Sequence, residues 1–148
     1  MRTAPPRNAF TLIEVLIVVI IMAVLAATII PQFSSSTKDA KESSLQFNLH
    51  TIRSQIEMYK VHHLGKYPEL AKFADQMTKA TNVDGTATAP TPYGPYIDEV
   101  PNNPFNDSNV LVAVATAGTV PTAVVAGGAG WQYDETTGGF YPNNSEAY

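Results

Sequence analysis

A chain of 148 residues has room for one compact domain. Nine Lys and Arg against 13 Asp and Glu give a formal charge of -4, which argues against the basic stripe that a nucleic-acid-binding surface carries. Without cysteine, disulfides, thiolate zinc sites and cysteine nucleophiles are excluded. Hydrophobic residues are unevenly spread: aliphatics crowd the first third, while Gly, Pro, Asn and Thr gather in the last half.

Met1 to Ala9 carries Arg2 and Arg7, no acid, and Pro5-Pro6, which disfavour a helix start before Arg7. Phe10 to Ile30 follows as FTLIEVLIVVIIMAVLAATII, with Glu14 as its only charge. As a helix this run spans roughly 30 Å, the hydrocarbon thickness of a bilayer. Its β-branched residues would favour a strand in water; in lipid the backbone has no other hydrogen-bond partners, so helix wins. Arg2 and Arg7 favour a cytoplasmic leader, with Lys38 and Lys41 not far beyond the other end weighing against it. A plain anchor gives no reason for Glu14, since a carboxylate costs about 2.5–3.5 kcal/mol at mid-bilayer and less near the interface. On length and charge alone, a lasting anchor and a removable signal peptide stand nearly even, because Ala23-Val24-Leu25-Ala26-Ala27 has the small residues of a cleavage site.

Beyond Pro31 the pattern becomes amphipathic. Leu45, Leu49, Ile52, Ile56 and Tyr59 recur at spacings of four, three, four and three, a single stripe that predicts core packing against a head. Leu64-Gly65-Lys66-Tyr67-Pro68 ends the helix, with Gly65 placed for a left-handed cap and Pro68 blocking continuation. Counted from Phe10, the helix is about 55 residues and about 80 Å long, bent locally at Pro31. Leu70, Phe73, Met77 and Ala80 predict a short second helix over Glu69 to Ala80, and Asn82 to Pro95 reads as loop. Val110 to Ala115 and Val120 to Ala126 read as one hairpin, with Pro121 demoting the second run to an edge. Trp131 to Asp134 and Gly139 to Pro142 read as another. His62 and His63, about 100° apart on a helix, read as a solvated helix end rather than a metal site. No hydrolase serine motif, phosphate-binding loop or carboxylate pair stands out.

Ala9-Phe10-Thr11-Leu12-Ile13-Glu14, after a basic leader and before an aliphatic run, strongly resembles the class III signal of type IV pilins and type II secretion pseudopilins. The resemblance implies that a membrane-embedded aspartyl peptidase cuts between Ala9 and Phe10, methylates the Phe10 amine and leaves the helix in place. Glu14 becomes the fifth residue of the mature chain, and Pro31 matches the family's proline at the end of the apolar stretch; both are thereby assembly residues. Gly is usual before the cut, and Ala9 stands there. His62-His63-Leu64-Gly65-Lys66-Tyr67-Pro68 resembles the NGxYP element of major pseudopilins, and Tyr96 to Phe105 the loop that follows, with Asn103 where Asp is usual. Gly130 to Asn143 is similar to the terminal hairpin of pilin-like heads, whereas Asn106 to Ala129 matches nothing in the family.

The implied fold is α+β and pilin-like: a long N-terminal helix, membrane-spanning in its first half, packed on a small head with a short helix and antiparallel β-hairpins. Its segments are a leader over 1–9, a transmembrane and assembly helix over 10–31, and an amphipathic helix with periplasmic head over 32–148. The implied function is structural rather than enzymatic, a subunit of a type II secretion pseudopilus assembled from the inner membrane for protein export. The absence of cysteine leans away from a type IV pilus subunit acting in adhesion, motility or DNA uptake, because many type IV pilins close a terminal loop with a disulfide. A membrane-anchored extracytoplasmic binding module is the reading from another class. Implied partners are further copies of the chain in a filament, the prepilin peptidase, an inner-membrane assembly platform with minor pseudopilins, and the membrane, with no nucleic acid. Related major pseudopilins hold calcium through an acidic carboxy-terminal loop. Here that stretch offers only Asp134, Glu135 and Glu146, with Asp98, Glu99 and Asp107 elsewhere, whereas calcium wants six to eight converging oxygens; no cofactor is expected.

Overall fold

A computed structural model of the chain describes residues 10–87 and 92–144. The expected leader with Arg2, Arg7 and Ala9, the loop residue Pro90, and Glu146 lie outside the described residues. The element order is α1 (Leu12–His62), a 3-10 turn (Leu70–Lys72), α2 (Phe73–Thr78), β1 (Leu111–Ala113), β2 (Trp131–Asp134) and β3 (Gly139–Pro142). This is the expected α+β class. The chain divides into two units between Ala40 and Lys41.

In the first unit, Leu12–Ile30 is 19 residues of helix with mean hydropathy 3.0, long and apolar enough to cross a membrane, and none of it is buried. Such a surface needs lipid or protein around it. α1 remains helical on both sides of Pro31.

The second unit is built on the predicted stripe. Leu45, Leu49, Ile52, Ile56 and Tyr59 are all buried, joined by Phe73 and Met77 of α2, Trp131 and Tyr133 of β2, and Phe140 of β3. Trp131 and Tyr133 share one face of β2 because strand side chains alternate, and Tyr133 stands opposite Phe140 in the antiparallel register. Phe73 meets Tyr133 edge-on at 4.7 Å between ring centres. The buried polar tips are satisfied, Tyr133 Oη–H donating to the Pro68 carbonyl and Trp131 Nε1–H to that of Pro101. Arg53 clamps the helix to the hairpin by donating Nε–H and Nη2–H to the Phe140 carbonyl at 2.9 and 2.7 Å.

Two details of the helix end differ from the sequence reading. The Gly65 N–H reaches back to the Lys60 carbonyl at 2.9 Å, and the left-handed conformation begins at Leu64 (φ 57°) before Gly65 (φ 83°). His63 is not solvated but 1% exposed. Its Nδ1 donates to the Tyr59 carbonyl at 2.7 Å, its Nε2 lies 3.0 Å from Thr81 Oγ1, and its ring stacks on Tyr59 at 3.7 Å. His62 is half-buried against Tyr96 and Tyr93. Thr81, Tyr93 and Tyr96, distant in sequence from the helix end, pack against the two rings, which helical spacing cannot reveal.

The sheet has the order β1-β2-β3, with β1 parallel to β2 and β2 antiparallel to β3. The terminal hairpin is therefore as expected, but the hairpin predicted from Val110 to Ala126 is not formed. Only Leu111–Ala113 is a strand, and it pairs with β2 as Leu111↔Trp131. A parallel pairing requires a long crossover, and residues 114–130 supply it. Pro121 lacks an N–H for a ladder. The backbone of this crossover bonds instead to side chains of β2 and the residue after β3: Gln132 donates to the Ala123 carbonyl, and Asn143 both donates to and accepts from Val125.

Asp134, at the end of β2 and 3% exposed, ties the crossover to the hairpin turn. Its carboxylate accepts from Thr136 N–H (2.9 Å), Thr136 Oγ1–H (2.6 Å), Thr137 Oγ1–H (2.8 Å) and Gly118 N–H (2.6 Å). Burial disfavours its charge, yet the bonds from Thr136, Gly118 and Thr137 outweigh that and hold the carboxyl well below the usual carboxylate range.

Truncating the stripe tests the core: Ile52→Ala or Ile56→Ala should cost about 2–5 kcal/mol, read from thermal or denaturant melts of the full chain in detergent. Unchanged melts for both would place the stripe on an interface. Asp134 gives a pH signature. Because its folded pKa is depressed, its stabilisation is complete above the unfolded value of about 4 and drains away as pH falls below it. The gap in melting temperature between wild type and Asp134→Asn should therefore be constant at neutral pH and close in stronger acid. A gap independent of pH would show that the charge contributes nothing.

Candidate functional site

Phe10 lies just before α1 and is 87% exposed. Thr11 is the residue before the first helical turn, and Glu14 is the third residue inside it. The Thr11 N–H and Oγ1–H each donate to Glu14 Oε2 at 2.8 Å, while the Glu14 N–H donates to Thr11 Oγ1 at 3.3 Å. This is a reciprocal capping box, in which hydroxyl and carboxylate satisfy two N–H groups that have no partner inside the helix. The carboxylate also sits at the positive end of the helix dipole. Thr11 was not among the residues singled out by sequence, although Thr-x-x-Glu before an apolar run is itself a helix-start signal.

The geometry thus gathers Phe10, Thr11 and Glu14 at the exposed start of α1, and places Pro31 one residue past the apolar span. Ala9 lies outside the described residues. Among the described residues no three His, Asp or Glu side chains converge to hold a metal ion. The chemistry available at this end is charge pairing and apolar packing.

Among the described residues the carboxy-terminal acids do not converge on one point. Four N–H and O–H groups already donate to the Asp134 oxygens, so a cation there would have to displace those bonds. Glu135 Oε2 accepts the Leu70 N–H at 2.9 Å, and Asp107 accepts from Asn102 Nδ2 at 3.0 Å. Asp98 and Glu99 are exposed on a separate loop.

Two family models match the chain. Residues 5–30 match the prokaryotic N-terminal methylation motif, and residues 32–139 match type II secretion system protein G. The type II secretion system core protein G of Vibrio cholerae serotype O1 is 26% identical over 140 residues, covering 93% of this chain and 92% of that protein. Those of Escherichia coli K12 and Pseudomonas aeruginosa are 26% and 27% identical, covering 76% of this chain in each case and 76% and 78% of theirs. No solved structure matches the chain. Since the 32–139 match takes in well over half of its length, this chain belongs to the type II secretion system protein G family.

Proposed function

We propose that this chain is a structural subunit of a type II secretion pseudopilus, assembled from the inner membrane for protein export. The observation that carries the reading is the pairing, in one chain, of a wholly unburied apolar helix that begins with a methylation motif and a head of the protein G family. A membrane-embedded peptidase cuts between Ala9 and Phe10 and methylates the new amine. The leader stays cytoplasmic and the head periplasmic, following Arg2 and Arg7. Subunits then leave the bilayer with the help of an inner-membrane assembly platform and minor pseudopilins, and their apolar helices cover one another in the fibre. The chain works mechanically and catalyses nothing.

Glu14 sets register in this scheme. Cutting before Phe10 creates a positive amine, and a carboxylate left unpaired in an apolar bundle costs several kcal/mol, on the order of the penalty for an uncompensated buried charge. Pairing Glu14 of one subunit with the Phe10 amine of the next removes that penalty at one stagger only. Pro31 closes the assembly segment.

Intact-mass measurement of the mature protein should find a chain that begins at N-methylated Phe10. A start near Thr28 would mean ordinary signal-peptide removal and would sink the reading, while a start at Met1 would leave a plain anchor. Glu14→Ala should still be inserted and processed, yet be missing from sheared fibres and accumulate in the membrane as mature protein. Wild-type fibre yield from that variant would remove Glu14 from the register mechanism, and failure of processing would assign the residue to the peptidase instead.

A further inference from the structure

The 114–130 crossover is the part of the head with the least reason to stay in place. It contains no strand, and its Val120 and Val124 are 64% and 47% exposed. Side chains fix it at three places along its length. Near its start, the Gly118 N–H enters the Asp134 carboxylate. In the middle, Gln132 Nε2–H donates to the Ala123 carbonyl at 2.8 Å, and Asn143 takes the Val125 N–H at 2.7 Å and returns a bond to the Val125 carbonyl at 2.9 Å. At its end, the Ala129 carbonyl accepts from both Asn143 and Asn106 at 2.9 Å, and the Gly130 carbonyl accepts from Asn103 Nδ2 at 2.8 Å. Asn103, Gln132 and Asn143 are almost wholly buried, and the bonds from Asn103 to Gly130 and from Asn143 to Ala129 are made where water competes least.

We propose that this clasp of amides and one carboxylate holds the carboxy-terminal half of the head closed in place of the calcium ion that the family resemblance implies. Calcium is bound by carboxylates and backbone carbonyls. Here both kinds of ligand are capped by hydrogen-bond donors: the Asp134 oxygens by N–H and O–H groups, and the carbonyls of Ala123, Val125, Ala129 and Gly130 by side-chain NH2 groups. Asn103 adds a bond of the same kind: its amide donates to the Gly130 carbonyl, where a carboxylate would set oxygen against oxygen. Gly130 lies directly against the Ser108 carbonyl, where a Cβ would collide with the oxygen. The inference starts from membership of the protein G family and goes beyond the proposed role in a pseudopilus.

The test is a thermal melt of the purified full chain in detergent micelles, followed by the fluorescence of buried Trp131, in calcium chloride and in EGTA, beside a calorimetric titration with calcium chloride. The same melting temperature in both buffers and no saturable heat are expected. Asp134→Asn and, separately, Asn143→Ala should each lower the melting temperature by the same amount with and without calcium. If Asp134→Asn does not fold, Asn143→Ala and the wild-type comparison still decide. A wild-type melting temperature that rises with calcium, a saturable calcium titration, or two variants that melt like wild type would each overturn the clasp.

Discussion

A single helix that is apolar on every side in one stretch and on one side only in the next sets the terms for everything else in this chain. Leu12–Ile30 offers no polar face, so covering it takes an environment that surrounds it, whether lipid or neighbouring helices. From Leu45 to Tyr59 the apolar residues return at alternating three- and four-residue steps, so one covering layer is enough. Burying a side chain of this size is worth about 1.5–3 kcal/mol, and the five stripe residues together with Trp131, Tyr133 and Phe140 are what makes a three-stranded sheet of very short strands worth forming. Three strands of three or four residues have little stability apart from such a helix.

The sheet solves its second face differently. On β2, Trp131 and Tyr133 go to the helix, which leaves Gln132 and Asp134 for the other side. Both are nonetheless buried, because the crossover between β1 and β2 lies over them and bonds to them. An apolar residue at either position would leave backbone N–H or C=O groups of the crossover without partners, at about 1–3 kcal/mol each. The polar residues are thus there to satisfy backbone that a parallel crossover cannot pair in a ladder.

Local periodicity carried the sequence reading wherever the relevant partners sit within one element. The stripe, the end of α1 near Gly65, the short helical stretch at Leu70 to Thr78 and the terminal hairpin were legible for that reason. Elsewhere the deciding partners are distant in the chain: His63 waits on Thr81, the Gly118 amide on Asp134, and Val125 on Asn143. The β-branched runs around Gly118-Thr119 look like a hairpin because β-propensity measures fit to a half-buried surface, not the direction of pairing. Thr11 is a different kind of miss. Its capping role with Glu14 is local and stands in the Thr-x-x-Glu spacing, a signal masked by the long apolar run that follows.

That cap bears on how Glu14 can serve two ends. In the isolated helix both bonds from Thr11 fall on Oε2, so the carboxylate is already partnered at the helix start and enters lipid at less cost than a bare charge would. The other oxygen, Oε1, retains lone pairs for a further donor, since a carboxylate offers about four acceptor sites. On the pseudopilus reading, the amine of a neighbouring Phe10 meets a carboxylate whose direction the Thr11 bonds have already fixed. Assembly then adds a charge-assisted bond to an oriented acceptor and gives up none of the helix cap. A free-swinging Glu14 would accept the amine over a range of staggers, whereas one held by its own capping box would accept it over a narrow range, and under the proposed pairing that restriction is what would turn an ion pair into a register.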